Sequence, residues 1–157
     1  MDRQLELMRE AIKLADDNLI SKKGGPFGAI VVKDGKIVGK GSNSVTSTND
    51  PTAHAEINAI RDACKNLNTF QLDDCEIYTS CEPCPMCLGA IYWARPKKVF
   101  FAASKHDASE AGFDDSFIYD EIKLPYEERK IPATQILQDE AKIVFEKWIK
   151  LENKIEY

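Results

Sequence analysis

An α/β layer fold built on one central sheet is what this sequence predicts, and three observations carry that expectation. Short apolar runs alternate with helical patterns of ten or more residues. Two of the runs are joined by Asp34-Gly35, a strong hairpin signal. Apolar stripes at helical spacing sit near both ends of the chain.

The elements follow in order. Leu5, Met8, Ile12, Ala15 and Leu19 recur at alternating spacings of three and four, which predicts an amphipathic helix over 2–20. Gly24-Gly25-Pro26 stops it. Strands are expected over Phe27–Lys33 and Lys36–Lys40. Asp50 then caps a helix running from Pro51 to about Asn66. Glu76–Thr79 reads as a short strand leading into Cys81–Pro85. A helix from Pro85 to Ala94 ends before Pro96, because a residue preceding proline avoids the helical region. Val99–Ala103 is a further strand. Beyond it, Ala108–Asp115 is turn-like, Ser116–Lys123 forms one or two helical turns, and Pro125–Pro132 is a polar connector. Gln138–Lys154 is a final helix with Ala141, Val144, Phe145, Trp148 and Leu151 on one stripe.

The 157 residues fit a single domain, residues 1–157, and a chain of this size buries enough surface to fold without a staple. Its 21 basic and 26 acidic residues leave a net charge of −5, with Lys22-Lys23, Lys97-Lys98 and Arg129-Lys130 the only close basic groupings. That balance argues against a nucleic-acid partner, which needs clustered Lys and Arg. No apolar stretch is long enough to span a membrane, and no secretory signal opens the chain. Five cysteines without an export signal point to a reducing compartment, the cytoplasm, where closely spaced cysteines serve metal or redox chemistry.

Two motifs carry the chemistry: His54-Ala55-Glu56, and Pro83-Cys84-Pro85-Met86-Cys87. This pairing is the signature of zinc-dependent deaminases. Cys84 and Cys87 share one face of a helix starting near Pro85, where the helix dipole favours thiolate, the zinc-binding form. His54 supplies a neutral third ligand, leaving an open position for water, the pattern of a catalytic zinc. Such a water has a pKa of roughly 7. On a regular helix His54 and Glu56 would point about 200° apart. The geometry works if the metal lies off the helix's N-terminal end, with Glu56 reaching over it as proton shuttle. Two other readings exist. A Cys-x-x-Cys redox pair gives His54 and Glu56 no role. A structural zinc needs a fourth ligand, for which Cys81 and His106 are the candidates.

The stretches Asn49–Glu56 and Cys81–Ala90 resemble the cytidine-deaminase-like superfamily. Gly24-Gly25-Pro26-Phe27-Gly28, Ala111–Phe117 and a terminal tyrosine make the chain similar to the bacterial guanine deaminases within it. The resemblance implies a three-layer α/β/α fold with a central mixed sheet flanked by helices. It implies one catalytic zinc per subunit and hydrolysis of guanine, a small-molecule purine base, to xanthine and ammonia. Zinc-bound hydroxide would attack C2 while Glu56 protonates N3. Asp115 matches a second carboxylate that assists the leaving amine, although the residues alone leave open whether Asp114 or Asp115 faces the site. Asn43 matches an amide that hydrogen-bonds the purine and Phe27 an aromatic packed on it. Tyr157 matches a residue closing the neighbouring subunit's pocket. A homodimer follows, its C-terminal segment from about residue 133 exchanged between subunits, with Pro125–Pro132 as hinge. The rival substrates are a tRNA adenosine and a pyrimidine base; outside enzymes, the rival is a structural-zinc interaction module.

Overall fold

The short apolar runs assemble into one four-stranded sheet, seen in a computed structural model that describes residues 2–157. Strands β1 (Gly28–Lys33), β2 (Lys36–Ser42), β3 (Cys75–Cys81) and β4 (Lys98–Ala103) lie in the order β2-β1-β3-β4. β1 runs antiparallel to β2 and β3, while β3 and β4 are parallel, so the sheet is mixed. The hairpin turns on Asp34 and Gly35, with φ of 50° and 72°, as an Asp-Gly pair allows.

The described residues also form seven α-helices: α1 (Asp2–Ser21), α2 (Val45–Thr48), α3 (Ala55–Leu67), α4 (Pro85–Ala94), α5 (Lys105–Glu110), α6 (Ser116–Lys123) and α7 (Gln138–Ile149). Strand side chains alternate between faces. Ile30, Val32 and Tyr78 therefore meet Leu7 and Ala11 of α1 on one side. Ala29, Val31 and Ile77 meet Ala55, Ala59 and Ala63 of α3, with Ile91 and Ala94 of α4, on the other. Two layers of helix enclose the sheet, the three-layer arrangement expected. The small alanine seam of α3 brings its axis close to the strands and fixes where its N-terminus ends up.

Several elements differ from expectation, among them the last helix, which ends at Ile149 and not at Lys154. The buried face of α1 is Leu7, Ala11, Ala15 and Asn18, whereas Leu5, Ile12 and Leu19 of the expected stripe stay exposed. Periodicity locates an apolar stripe but not its boundaries when alanines on its flank pack more closely. The second long helix starts at Ala55, because Asp50–Ala53 closes a turn instead (Ala53 N to Asp50 O, 3.1 Å). Residues 105–110, part of which reads as a turn, form a helix. Ser104 caps it through Asp107, a reciprocal pair of side chain-to-backbone hydrogen bonds.

Residues Met1–Ser116 form one unit and Phe117–Tyr157 a second. The second comprises most of α6, a 3-10 turn at Tyr126–Glu128 and α7. Arg129 braces that turn, donating to Leu124 O at 3.0 Å with its guanidinium 4.6 Å from the Tyr126 ring. None of the second unit's described residues is buried; Val144 and Phe145 of the α7 stripe are 64% and 69% exposed. Among the described residues, no helix is long and apolar enough to cross a membrane.

Candidate active site

One end of the sheet collects the functional side chains of the first unit. There β1 begins, β2, β3 and β4 end, and α3 and α4 start. Asp50 Oδ1 accepts from Thr52 N and Thr52 Oγ1 at 2.8 and 2.6 Å, holding the turn before α3. His54 follows in extended backbone (φ −71°, ψ 159°) as the N-cap. Standing just outside the helix, it escapes the lateral geometry that would separate it from Glu56 in the first turn.

Cys84 is the N-cap of α4, its Sγ accepting from Cys87 N at 3.5 Å. His54 Nδ1 lies 3.6 Å from Cys84 Sγ and 3.4 Å from Cys87 Sγ. Their donor atoms all fall within 4.8 Å of one another. The Cys87 thiol beside it, then His54, hold the Cys84 thiol down at about 4. Sharing a proton with Cys84, together with burial, pushes Cys87 up, and Cys84 raises His54. One imidazole, one ready thiolate and a second sulfur suit zinc with a position left open. Neither candidate fourth ligand belongs to this group. Cys81 is a buried thiol, held up at about 11 by burial and placed 3.6 Å from Ser104 O. His106 is exposed and pairs with Glu110 at 3.4 Å.

Glu56 is buried beside the three donors, with Oε2 3.4 Å from Cys87 Sγ and Oε1 accepting from Thr79 Oγ1 at 3.2 Å. Burial raises its carboxyl above the ordinary range. The group faces a cavity of about 360 Å³, near the small end of the roughly 300–1,000 Å³ usual for small-molecule sites. Phe27 forms part of its wall, with Phe113 edge-on at 4.9 Å and 86°. Asn43, buried, and Asp115, half-buried, line it too. Burial, then the Cys84 charge, raises Asp115. Asp114 also borders the cavity but is exposed; its Oδ1 accepts from Ser116 N at 2.9 Å, which lowers its pKa. Tyr157 lies in the second unit, where it is exposed.

Two participants escaped the reading of the sequence as site residues. Thr79 shares its strand face with Cys75 and Ile77, and only the pairing of β3 with its neighbours places it under Glu56. Phe113 sits inside the Ala111–Phe117 motif, where an aromatic amid glycine and acidic residues was the available signal. Together the site joins a metal-binding triad, a buried carboxylate, a second carboxylate and an aromatic-walled slot bearing one amide. That set suits hydrolysis at a carbon of a flat heterocycle.

Comparison with known proteins agrees. Residues 1–103 match the cytidine and deoxycytidylate deaminase zinc-binding region. Guanine deaminase of Bacillus subtilis (strain 168) is 60% identical over 150 residues, covering 96% of each chain. A tRNA-specific adenosine deaminase of Aquifex aeolicus is 44% identical over 106 residues, which is 64% of this chain and 70% of that one. Among solved structures, the guanine deaminase from Bacillus subtilis superposes with a TM-score of 0.94 at 59% identity, over 97% of each chain. The guanine deaminase from Nitrosomonas europaea gives 0.66 at 34% identity, covering 69% of this chain and 63% of that one.

Proposed function

This chain belongs to the family of the cytidine and deoxycytidylate deaminase zinc-binding region, and from that premise we propose that it hydrolyses guanine to xanthine and ammonia. The observation that carries the reading is likeness to a guanine deaminase over 96% of each chain, supported by a metal-binding group of His54, Cys84 and Cys87 beside a cavity. The likeness to tRNA deaminases covers a smaller share of the chain, 64% in the case above. The net charge of −5 also offers little to an RNA backbone.

His54, Cys84 and Cys87 would hold the zinc. When bound, the metal supplies Lewis acidity, which makes hydroxide available at neutral pH. The chain's own groups do the rest. Glu56, within 3.4 Å of Cys87 Sγ, takes the proton of the attacking water and passes it to ring N3 as the new C2–O bond forms. Asp115, at the cavity wall, relays the proton of the new C2 hydroxyl to the exocyclic amine, and the C2–N bond breaks to release ammonia as the C2 carbonyl of xanthine forms. Asn43 donates to the base, and Phe27 with Phe113 grips the ring from the apolar side. The raised carboxyl of Glu56 suits a group that must both accept and return a proton.

The enzyme acts as a cytoplasmic homodimer in purine catabolism, its C-terminal segment exchanged between subunits so that Tyr157 closes the partner's pocket. Supporting this, α7 leaves Val144, Phe145 and Ile149 exposed, and α4 turns Leu88, Tyr92 and Trp93 outward. Clustered exposed apolar side chains mark association surfaces. Incubation with guanine, scored for ammonia and xanthine in equal amounts, tests the reaction; ammonia without xanthine rejects it.

A further inference from the structure

Asn18 takes no part in the chemistry above, yet it is a polar side chain sealed at 2% exposure on the packed face of α1. Its companions on that face, Leu7, Ala11 and Ala15, are apolar. A carboxamide there is costly unless its polar atoms are used. Its Nδ2 donates to the Gly25 carbonyl at 2.8 Å and to the Asn43 carbonyl at 2.9 Å. Its Oδ1 accepts from Ser21 Oγ at 3.5 Å.

Both carbonyls lead to one place. Asn43 Oδ1 accepts from Gly25 N and from Val45 N, each at 3.2 Å. A carboxamide whose oxygen takes two backbone N–H groups has its polarity fixed, because turning it over would set N–H against N–H. The end left for the cavity is Nδ2, a donor. Gly24 makes the approach possible: a Cβ there would collide with the carbonyl and side-chain oxygens of Asn43.

We propose that Asn18 is a positioning residue for base recognition. By tying the Gly25 and Asn43 carbonyls together, it seats the Gly25 N–H on Asn43 Oδ1 and keeps Asn43 Nδ2 turned as a donor toward an acceptor atom of the bound base. The proposal rests on the reading in which Asn43 contacts the base, and names what gives that contact its direction. A fixed donor favours a base presenting a carbonyl or an unprotonated ring nitrogen there over one presenting an amino group, which would leave both donors unpaired.

The test is a double-mutant cycle on the zinc-loaded protein with Asn18→Leu, Asn43→Ala and the pair, and with Asn18→Ala as a second probe should Leu fail to fold. Two readouts are taken: Michaelis parameters on guanine, and the Kd of hypoxanthine, which keeps the ring system and its carbonyl but has no exocyclic amine to lose. Asn18→Leu is expected to raise KM and Kd about tenfold, the worth of one oriented hydrogen bond. It should leave kcat within about threefold and zinc stoichiometry unchanged. In the Asn43→Ala background it should add nothing further. An equal loss in both backgrounds, or a fall in kcat with KM unmoved, overturns the proposal. If the wild type binds hypoxanthine but leaves guanine intact, the functional reading fails and the Kd cycle alone decides on Asn18. If it binds neither, both fall.

Discussion

Thr79 donates from Oγ1 to Glu56 Oε1 across 3.2 Å, in a site where both side chains are buried. The carboxylate's other oxygen lies 3.4 Å from Cys87 Sγ, so Glu56 is held from two sides between β3 and α4. A buried proton shuttle with no such restraint would sample rotamers that miss the water it must deprotonate.

Removing that restraint should act on turnover. Hydrogen bonds to charged groups contribute about 1.5–3 kcal/mol. Thr79→Val is therefore expected to lower kcat by about tenfold or more with a small change in KM. Thr79→Ser keeps the donor and should recover most of it. Steady-state kinetics on the three proteins, with zinc content checked in each, decides; a Ser variant as slow as the Val variant contradicts the assignment.

As the proposed proton shuttle, Glu56 should trade stability for activity. Burial raises its carboxyl above the ordinary value of 4.5. Below the unfolded-state pKa the group is protonated in both states and burial costs little; as pH rises through the folded-state pKa, the buried charge becomes a penalty. Glu56→Gln should accordingly raise the Tm of the zinc-free protein at neutral pH, and the gain should shrink as pH falls toward 4.5. The same variant should lose about 10³-fold or more in kcat. Thermal melts at both pH values test the sign, and an equal gain at each would show that charge is not its source.

The metal group makes a cleaner distinction. His54→Ala, Cys84→Ala and Cys87→Ala should each lose zinc and activity together, since each removes one of three ligands. Cys81→Ala and His106→Ala should keep stoichiometric zinc, because Cys81 faces Ser104 and His106 faces Glu110. Elemental analysis of the five purified variants checks this, and zinc loss in Cys81→Ala would restore the four-ligand structural site.

Neighbouring aspartates should separate. Asp114 holds the Ser116 N–H, and asparagine can do the same, so Asp114→Asn should stay within about threefold of wild type. Asp115 is half-buried at the cavity, and Asp115→Asn should lower kcat about 100-fold by losing the proton relay to the amine. Comparable effects at both positions would remove Asp115 from the mechanism.

Much of this site is legible in the chain because its chemistry is local. Cys84, Pro85 and Cys87 write a helix start and two candidate ligands into four residues, and the helix forms over Pro85–Ala94 as the spacing predicts. His54 and Glu56 are as compact, but their geometry depends on where the helix begins. That start is set by the Asp50–Ala53 turn, which competes with Asp50 as a cap. What the chain does not display locally is whatever strand pairing creates. Thr79 and Asn18 reach partners 23 and 25 residues away, and neither carries a motif. The α7 stripe shows the opposite limit. Its period predicts a helix, and the helix is there, but periodicity carries no information about what covers its apolar face.

The most direct measurement is kcat/KM of the zinc-loaded protein on guanine, adenine, cytosine and a tRNA anticodon stem-loop, each followed by ammonia release. Turnover of guanine is expected with the other three slower by orders of magnitude, and its loss in Glu56→Ala while zinc stays bound. Preference for the stem-loop would contradict the substrate, and no turnover of any of the four with zinc fully bound would contradict the catalytic reading itself.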